Sequence, residues 1–198
     1  LGEEVAERAA SHGLSREQYI EREAETVPAG SDGLMTVLDW LAPTDRAFRK
    51  GVMLGFDARH TRGHVYRSIL EAIALTMKHN VDAMCGELGI TLDEIVVSGG
   101  GATSPLFMQI FADVFGIPAS RSAEGGGGAS LGAAICAAAA TGIYPDIETA
   151  AAAMTRHREP FVPDPANTTV YRRMNESVYL SIRDATDGLL ERSYPIFH

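Results

Sequence analysis

The sequence is short of cysteine, of positive charge and of long apolar runs, and each shortage excludes a class of protein. It has 198 residues and 2 cysteines, Cys85 and Cys136, 51 positions apart. That spacing fits no zinc or redox motif, and two thiols cannot staple a small secreted scaffold, so a reducing, cytoplasmic setting is expected. Lysine and arginine number 17 against 26 acids, a net charge of −9. Counterion release rewards only clustered cations, so nucleic acid is not expected as a partner. The most apolar run, Ala133 to Ala140, is short and alanine-rich. It falls well below the ~18 residues that mark a membrane span, so no membrane partner is expected either. No Gly-Lys-Ser/Thr occurs, which removes a Walker-type phosphate loop. The chain opens on Leu1 rather than methionine, and it is expected to be one part of a longer polypeptide.

What is present suits one packed domain. Hydrophobic residues make up 45% and charged residues 22%, enough for a single core at this length. Residues 1–29 read as a helical lead-in, with Ser15 and Gln18 at capping-box spacing. Pro28 to Gly33 is a turn cluster, and Leu34 to Leu38 reads as a short buried strand. From His64 the period turns helical. Ile69, Ile73, Met77 and Val81 recur every four residues beside Leu70, Ala74 and Met84, a stripe expected to face a core, and Gly89 ends the element. Ile95-Val96-Val97 is a β-branched strand signal. A helix follows with Ser104 as N-cap and Pro105 in its first turn, stopping at Gly116. A strand at Ala119 to Ser122 and helices at Ala129 to Ala140 and Ile147 to Met154 come next. Pro160 to Pro165 is a turn cluster, and a C-terminal helix over 166–198 is expected to be capped by Thr169. Alternation of strands and helices predicts an α/β protein.

Three segments carry candidate chemistry. The first is strand, Gly99-Gly100-Gly101, capped helix. Such glycines let backbone approach a ligand and place it near free helix N–H groups, suiting an adenosine or a phosphate; a plain βα turn needs the same residues. The dinucleotide fingerprint fails, because Ser104 stands where its last glycine should be. The second segment is Gly51 to Phe56, then seven residues, then His64 to Glu71. His60 and His64 are four apart but have no third ligand in view, so no metal site is assigned. Arg67 and Glu71 read as a helix-face ion pair worth tenths of a kcal/mol. The third segment is Glu124 with the run Gly125 to Gly128 and then Leu131-Gly132-Ala133-Ala134, a hinge, a cradle or a loop. Asp32, Asp57 and Asp93 are isolated carboxylates near turns, with no partner in sequence that marks a general base.

In this order and spacing the segments resemble the C-terminal domain of the FGGY family of carbohydrate kinases, which includes xylulokinases, ribulokinases and glycerol kinases. Gly51 to Glu71 is similar to that family's second signature, with Phe56 in place of a small aliphatic residue. Val97 to Ser104, with Met108-Gln109 and Ala112-Asp113, looks like its adenosine segment; Gly116-Ile117-Pro118 and Leu131 to Ala134 with Gly142 extend it. Gly30 to Leu34 matches the turn ahead of the signature, and the likeness runs from about Gly30 to Tyr179.

The resemblance implies a ribonuclease-H-like lobe of the actin, heat-shock chaperone and sugar kinase class, a mixed sheet flanked by helices. It implies ATP and Mg2+ as cofactors and transfer of the γ-phosphoryl group to a sugar or polyol hydroxyl. Gly100 and Ser104 align with family positions that contact the nucleotide, and Gly99, Gly101 and Ala102 would line the same turn. The catalytic aspartate belongs to an N-terminal, sugar-binding domain that has no counterpart here. The chain therefore reads as a C-terminal nucleotide-binding domain, inactive alone, with ATP/ADP as partner and a homodimer left open. The rival is a non-catalytic nucleotide-binding or oligomerisation module of the same fold.

Overall fold

The structure is a computed structural model that describes residues 2–121, 128–156 and 158–197. Glu124 and the first three residues of the glycine run lie outside them. Two amphipathic helices open the chain, α1 (Gly2–Ser11) and α2 (Arg16–Glu25), burying Val5, Ala9 and Ala24. The capping box between them is formed as the sequence predicts: Ser15 Oγ accepts from the Gln18 N–H at 3.2 Å, and Gln18 Oε1 accepts from the Ser15 N–H at 2.9 Å.

β1 (Met35–Val37) pairs antiparallel with β2 (Val52–Leu54), Met35 opposite Leu54. The 27-residue helix α3 (Arg62–Leu88) crosses this ribbon and ends on Gly89 in the left-handed conformation, φ +66°. β3 (Ile95–Val97) then leads through a turn into α4 (Pro105–Phe115), and the chain returns as β4 (Ala119–Arg121), parallel to β3. The described residues thus hold two separate two-stranded ribbons, one antiparallel and one parallel, instead of one mixed sheet. α5 (Gly128–Ala140) and α6 (Ile147–Met154) pack on each other.

The helical stripe on α3 is not the buried face along its whole length. Arg67, Ser68, Leu70, Glu71, Ala74 and Leu75 are buried, whereas Met77 is 45% and Met84 52% exposed. The cause is asymmetric cover. α2, β1 and α4 all pack on α3, while the row from Ile73 to Met84 borders an open groove of about 560 Å³ beside Val96 and Phe115. The last helix also departs from expectation. It begins as α7 (Pro165–Met174), capped by Asp164, whose Oδ1 accepts from the Ala166 N–H at 2.8 Å. Thr169 lies inside α7 and donates to the Pro165 carbonyl at 2.8 Å. Pro165 in the first turn presets φ, which moves the helix start upstream of Thr169. A π-helical turn over Asn175–Tyr179 joins α7 to α8 (Leu180–Phe197).

The core is centred on α3, α4 and α7, with Leu75, Met108, Ile110 and Tyr171 almost wholly buried. Asp113 locks two of these helices together. Its buried carboxylate accepts from Gln109 Nε2 (2.8 Å), the Asp164 N–H (2.8 Å) and Asn167 Nδ2 (2.9 Å), so the start of α7 is fixed to α4.

Candidate functional site

The strand–glycine–helix segment folds as its residues demand. Gly99 takes φ +99°, a conformation closed to side-chain-bearing residues, and redirects the chain out of β3. Gly100–Thr103 form one 3-10 turn. The glycines differ in what fixes them. A Cβ on Gly101 would lie 2.6 Å from the Phe107 ring, so packing alone demands glycine there, while a Cβ on Gly100 meets nothing within 4 Å. Ala102 is buried behind the turn. Ser104 caps α4, its Oγ accepting from the Phe107 N–H at 3.0 Å.

Gly100, Gly101, Thr103 and Ser104 form one wall of a cavity of about 700 Å³, and α2 forms the other with Gln18, Glu21 and Glu25; Tyr66, Leu70 and Ile73 of α3 add to its lining. Gly99 and Ala102 do not border it. The start of α4, a natural seat for an anion, is already filled by one of the protein's own carboxylates. Glu21 Oε1 accepts from Ser104 Oγ and, at 3.3 Å, from the Leu106 N–H. Pro105 has no N–H to offer. Burial raises the pKa of the Tyr66 hydroxyl, and the charges of Glu21 and Glu17 push it the same way. Tyr66 therefore keeps its proton. The α2 side of the cavity thus carries three carboxylates, Glu17, Glu21 and Glu25, and one cation, Arg22.

The second signature forms a buried anchor instead of a helix-face pair. Arg67 and Glu71 are 6% and 2% exposed. Glu71 Oε1 accepts from Arg67 Nε (2.9 Å), Tyr171 OH (2.8 Å) and the Gly30 N–H (2.9 Å), and Oε2 accepts from Ser31 Oγ (2.9 Å). Arg67 reaches Tyr171 OH as well, at 3.1 Å. Burial lowers the Arg67 pKa, but Tyr171 and Glu71 more than offset it and leave it raised; burial first and then the Glu71 charge hold the Tyr171 hydroxyl protonated.

The anchored segment is strained. Gly30, Ser31, Asp32 and Gly33 take φ of +83°, +49°, +52° and +92° in succession. For Ser31 and Asp32 this costs on the order of 1–3 kcal/mol each, and the Glu71 bonds hold the turn in place. The turn presents Asp32 to His64, Oδ2 to Nε2 at 3.2 Å. His64 Nδ1 accepts from the Thr61 N–H at 3.1 Å, completing the capping box of α3, and His60 Nδ1 accepts from the Asp57 N–H at 2.8 Å. Both histidines are thus local structural groups. Among the described residues no set of three His, Cys, Asp or Glu gathers as a metal site.

Of the five residues singled out in the glycine turn, Gly100, Gly101 and Ser104 meet at the cavity, Gly99 shapes the turn, and Ala102 packs beneath it. Glu21 is the residue that sequence reasoning missed. It sits on an exposed-looking lead-in helix, and only its spacing to Glu17 and Glu25 on one face hints at a shared surface.

With this geometry in hand, comparison with known proteins gives a consistent result. The profile of the "FGGY family of carbohydrate kinases, C-terminal domain" matches residues 5–141. The chain is 44% identical over 198 residues to the uncharacterized sugar kinase YgcE of Escherichia coli (strain K12), covering all of this chain and 40% of that protein. It is 36% identical over 186 residues to the ribulokinase of Mycolicibacterium smegmatis, covering 91% of this chain and 32% of that one. The xylulose kinase of Rhodospirillum rubrum superposes with a TM-score of 0.74 at 30% identity, over 94% of this chain and 38% of its own. The chain spans two fifths or less of the length of these relatives. Its fold is that of an α/β sugar-kinase domain, and the chain belongs to the FGGY family of carbohydrate kinases.

Proposed function

We propose that this chain is the nucleotide-binding lobe of a sugar or polyol kinase, a single C-terminal domain over 1–198. In this reading it is ribonuclease-H-like, 1–29 are its helical lead-in and 166–198 its C-terminal helix. The observation that carries the reading is the open floor at Gly100, where even a methyl group would meet no protein atom within 4 Å, inside a cavity of about 700 Å³. A nucleoside fits such a floor. Membership of a family of carbohydrate kinases supports the reaction class.

In that reaction an acceptor hydroxyl oxygen bonds to the γ-phosphorus of ATP, the bond from γ-phosphorus to the bridging oxygen breaks, and ADP leaves. The hydroxyl proton passes to a carboxylate base. Positioning and charge supply most of the rate. The base is expected in an N-terminal, sugar-binding domain, so no residue of this chain is given a catalytic role and the chain alone should not turn over. Mg2+ accompanies ATP in such transfers and shields its phosphate charge. No metal-binding cluster stands among the described residues, so none of them is assigned to it. Gly100, Gly101 and Ser104 hold the nucleoside, with Gly99 and Ala102 shaping the turn beneath. The setting is cytoplasmic, with ATP/ADP as ligand and a homodimer as the assembly to test.

Gly100→Val in the intact kinase tests the assignment. The added side chain points into open space, so the melting temperature should hold while ADP affinity falls at least tenfold, by roughly 1.4 kcal/mol or more. Equal ADP binding by both proteins would refute the placement.

A further inference from the structure

The glycine turn ends on two carbonyls that the local chain cannot satisfy. In a tight helical turn the acceptors of Ala102 and Thr103 look to N–H groups three or four residues on. Position 105 is proline and has none. The Leu106 N–H goes to Glu21 Oε1, and the Phe107 N–H goes to Ser104 Oγ. Arg121 supplies the missing donor. Its Nη1 donates to the Ala102 carbonyl at 3.0 Å and to the Thr103 carbonyl at 3.4 Å.

β4 delivers this side chain to the turn. In the parallel pair Arg121 stands opposite Val97, so it lies at the carboxyl end of both strands, where the chain leaves β3 for Gly99. The neighbouring segment keeps it there. The Arg158 N–H donates to the Arg121 carbonyl at 3.1 Å, Phe161 exchanges bonds of 3.0 and 2.9 Å with Ala119, and the guanidinium lies over the Phe161 ring at 5.4 Å. Arg121 does not itself border the cavity, whereas Thr103 and Ser104 do. We propose that Arg121 is a positioning residue for the nucleotide, fixing from behind the wall against which the nucleoside lies. This rests on the nucleotide reading of the site and adds to it the residue that holds the turn in its binding shape. Without that donor two carbonyls lose their partner, and the turn relaxes to find another, carrying Thr103 and Ser104 with it.

Calorimetric titration of ADP into the intact protein tests this, because stoichiometry reports the folded fraction and the dissociation constant reports the site. Arg121→Met keeps an apolar stem over Phe161 and removes the donor, so ADP should bind about tenfold more weakly at unchanged stoichiometry. Arg121→Lys should return the affinity to within about threefold of wild type, since both bonds leave one nitrogen and an ammonium can make the same pair. Arg183→Met, which removes an ion pair with Asp39 and does not border the cavity, should leave ADP affinity unchanged. Unaltered affinity in Arg121→Met, or a fall in its stoichiometry alone, would overturn the positioning role while leaving the site standing. So would a lysine variant as weak as the methionine one, or an equal loss in Arg183→Met. Failure of ADP to bind the wild-type protein would overturn the nucleotide reading, and this inference with it.

Discussion

Replacing Glu71 by glutamine is the sharpest test of the packing around the site. The amide oxygen can keep the donors that now meet Oε1, namely Arg67 Nε, Tyr171 OH and the Gly30 N–H, and the amide nitrogen can face Ser31 Oγ. Shape and hydrogen bonds largely survive; the charge does not. Arg67, with a side chain 7% exposed, stays ionised at any ordinary pH and loses its counter-charge. Removing one partner of a buried pair costs about 3–5 kcal/mol, against only tenths for a pair on a solvated helix face. The two readings of Arg67 and Glu71 therefore differ roughly tenfold in energy. Native-state hydrogen exchange in the intact protein, read at the amides of Gly30 and of residues along α3, reports the local loss without requiring two-state unfolding of a longer chain. In an Arg67→Met background the same change should cost under about 1 kcal/mol, since no buried cation is left behind. A loss below about 1 kcal/mol in the wild-type background, with no coupling to Arg67, would refute the buried-anchor account.

Two further outcomes follow from particular positions. Gly55→Ala should destabilise by well over the ~1 kcal/mol of an unfavourable φ alone, because its Cβ would lie 2.3 Å from the Gly33 carbonyl oxygen; Gly33→Ala, with nothing within 4 Å, should cost only the backbone part, and equal melting temperatures would contradict this. Arg59 holds the Asp57 carboxyl down at about 2, first through its side chain and then its backbone N–H, while Arg49 holds Asp187 below the usual carboxylate range. Both folded pKa values lie below the unfolded value of about 4, so this stability is present above about pH 4 and is lost as pH falls through the depressed values. An Asp187→Asn variant should show a shallower acid slope, and a carboxyl NMR titration should place Asp57 near 2; a midpoint near 4 would contradict the Arg59 contact.

Much of the fold is legible locally. The Ser15 capping box, the Ser104 cap with Pro105, and the glycine stops at Gly89 and Gly116 are set by nearest-neighbour chemistry, and all form. What depends on distant partners is not legible. Arg67 and Glu71 read as a surface pair because Tyr171, Gly30 and Ser31, which bury them, lie 40 to 104 residues away. The stripe through Met77 and Met84 is apolar enough for a core, but among the described residues only the first half of α3 is well covered. The β2 strand has just three apolar residues after Gly51 and becomes a strand by pairing with β1. At the candidate site the glycine turn announces itself in sequence, whereas Glu21 is brought to Ser104 across 83 residues by the packing of α2 against α3.

The central claim is that the nucleotide lies between α2 and the Gly100–Ser104 turn. Solving the crystal structure of the intact protein with MgADP measures this most directly. The account predicts purine density in that cavity, in contact with Gly100 and beside Ser104. ADP bound elsewhere would contradict it.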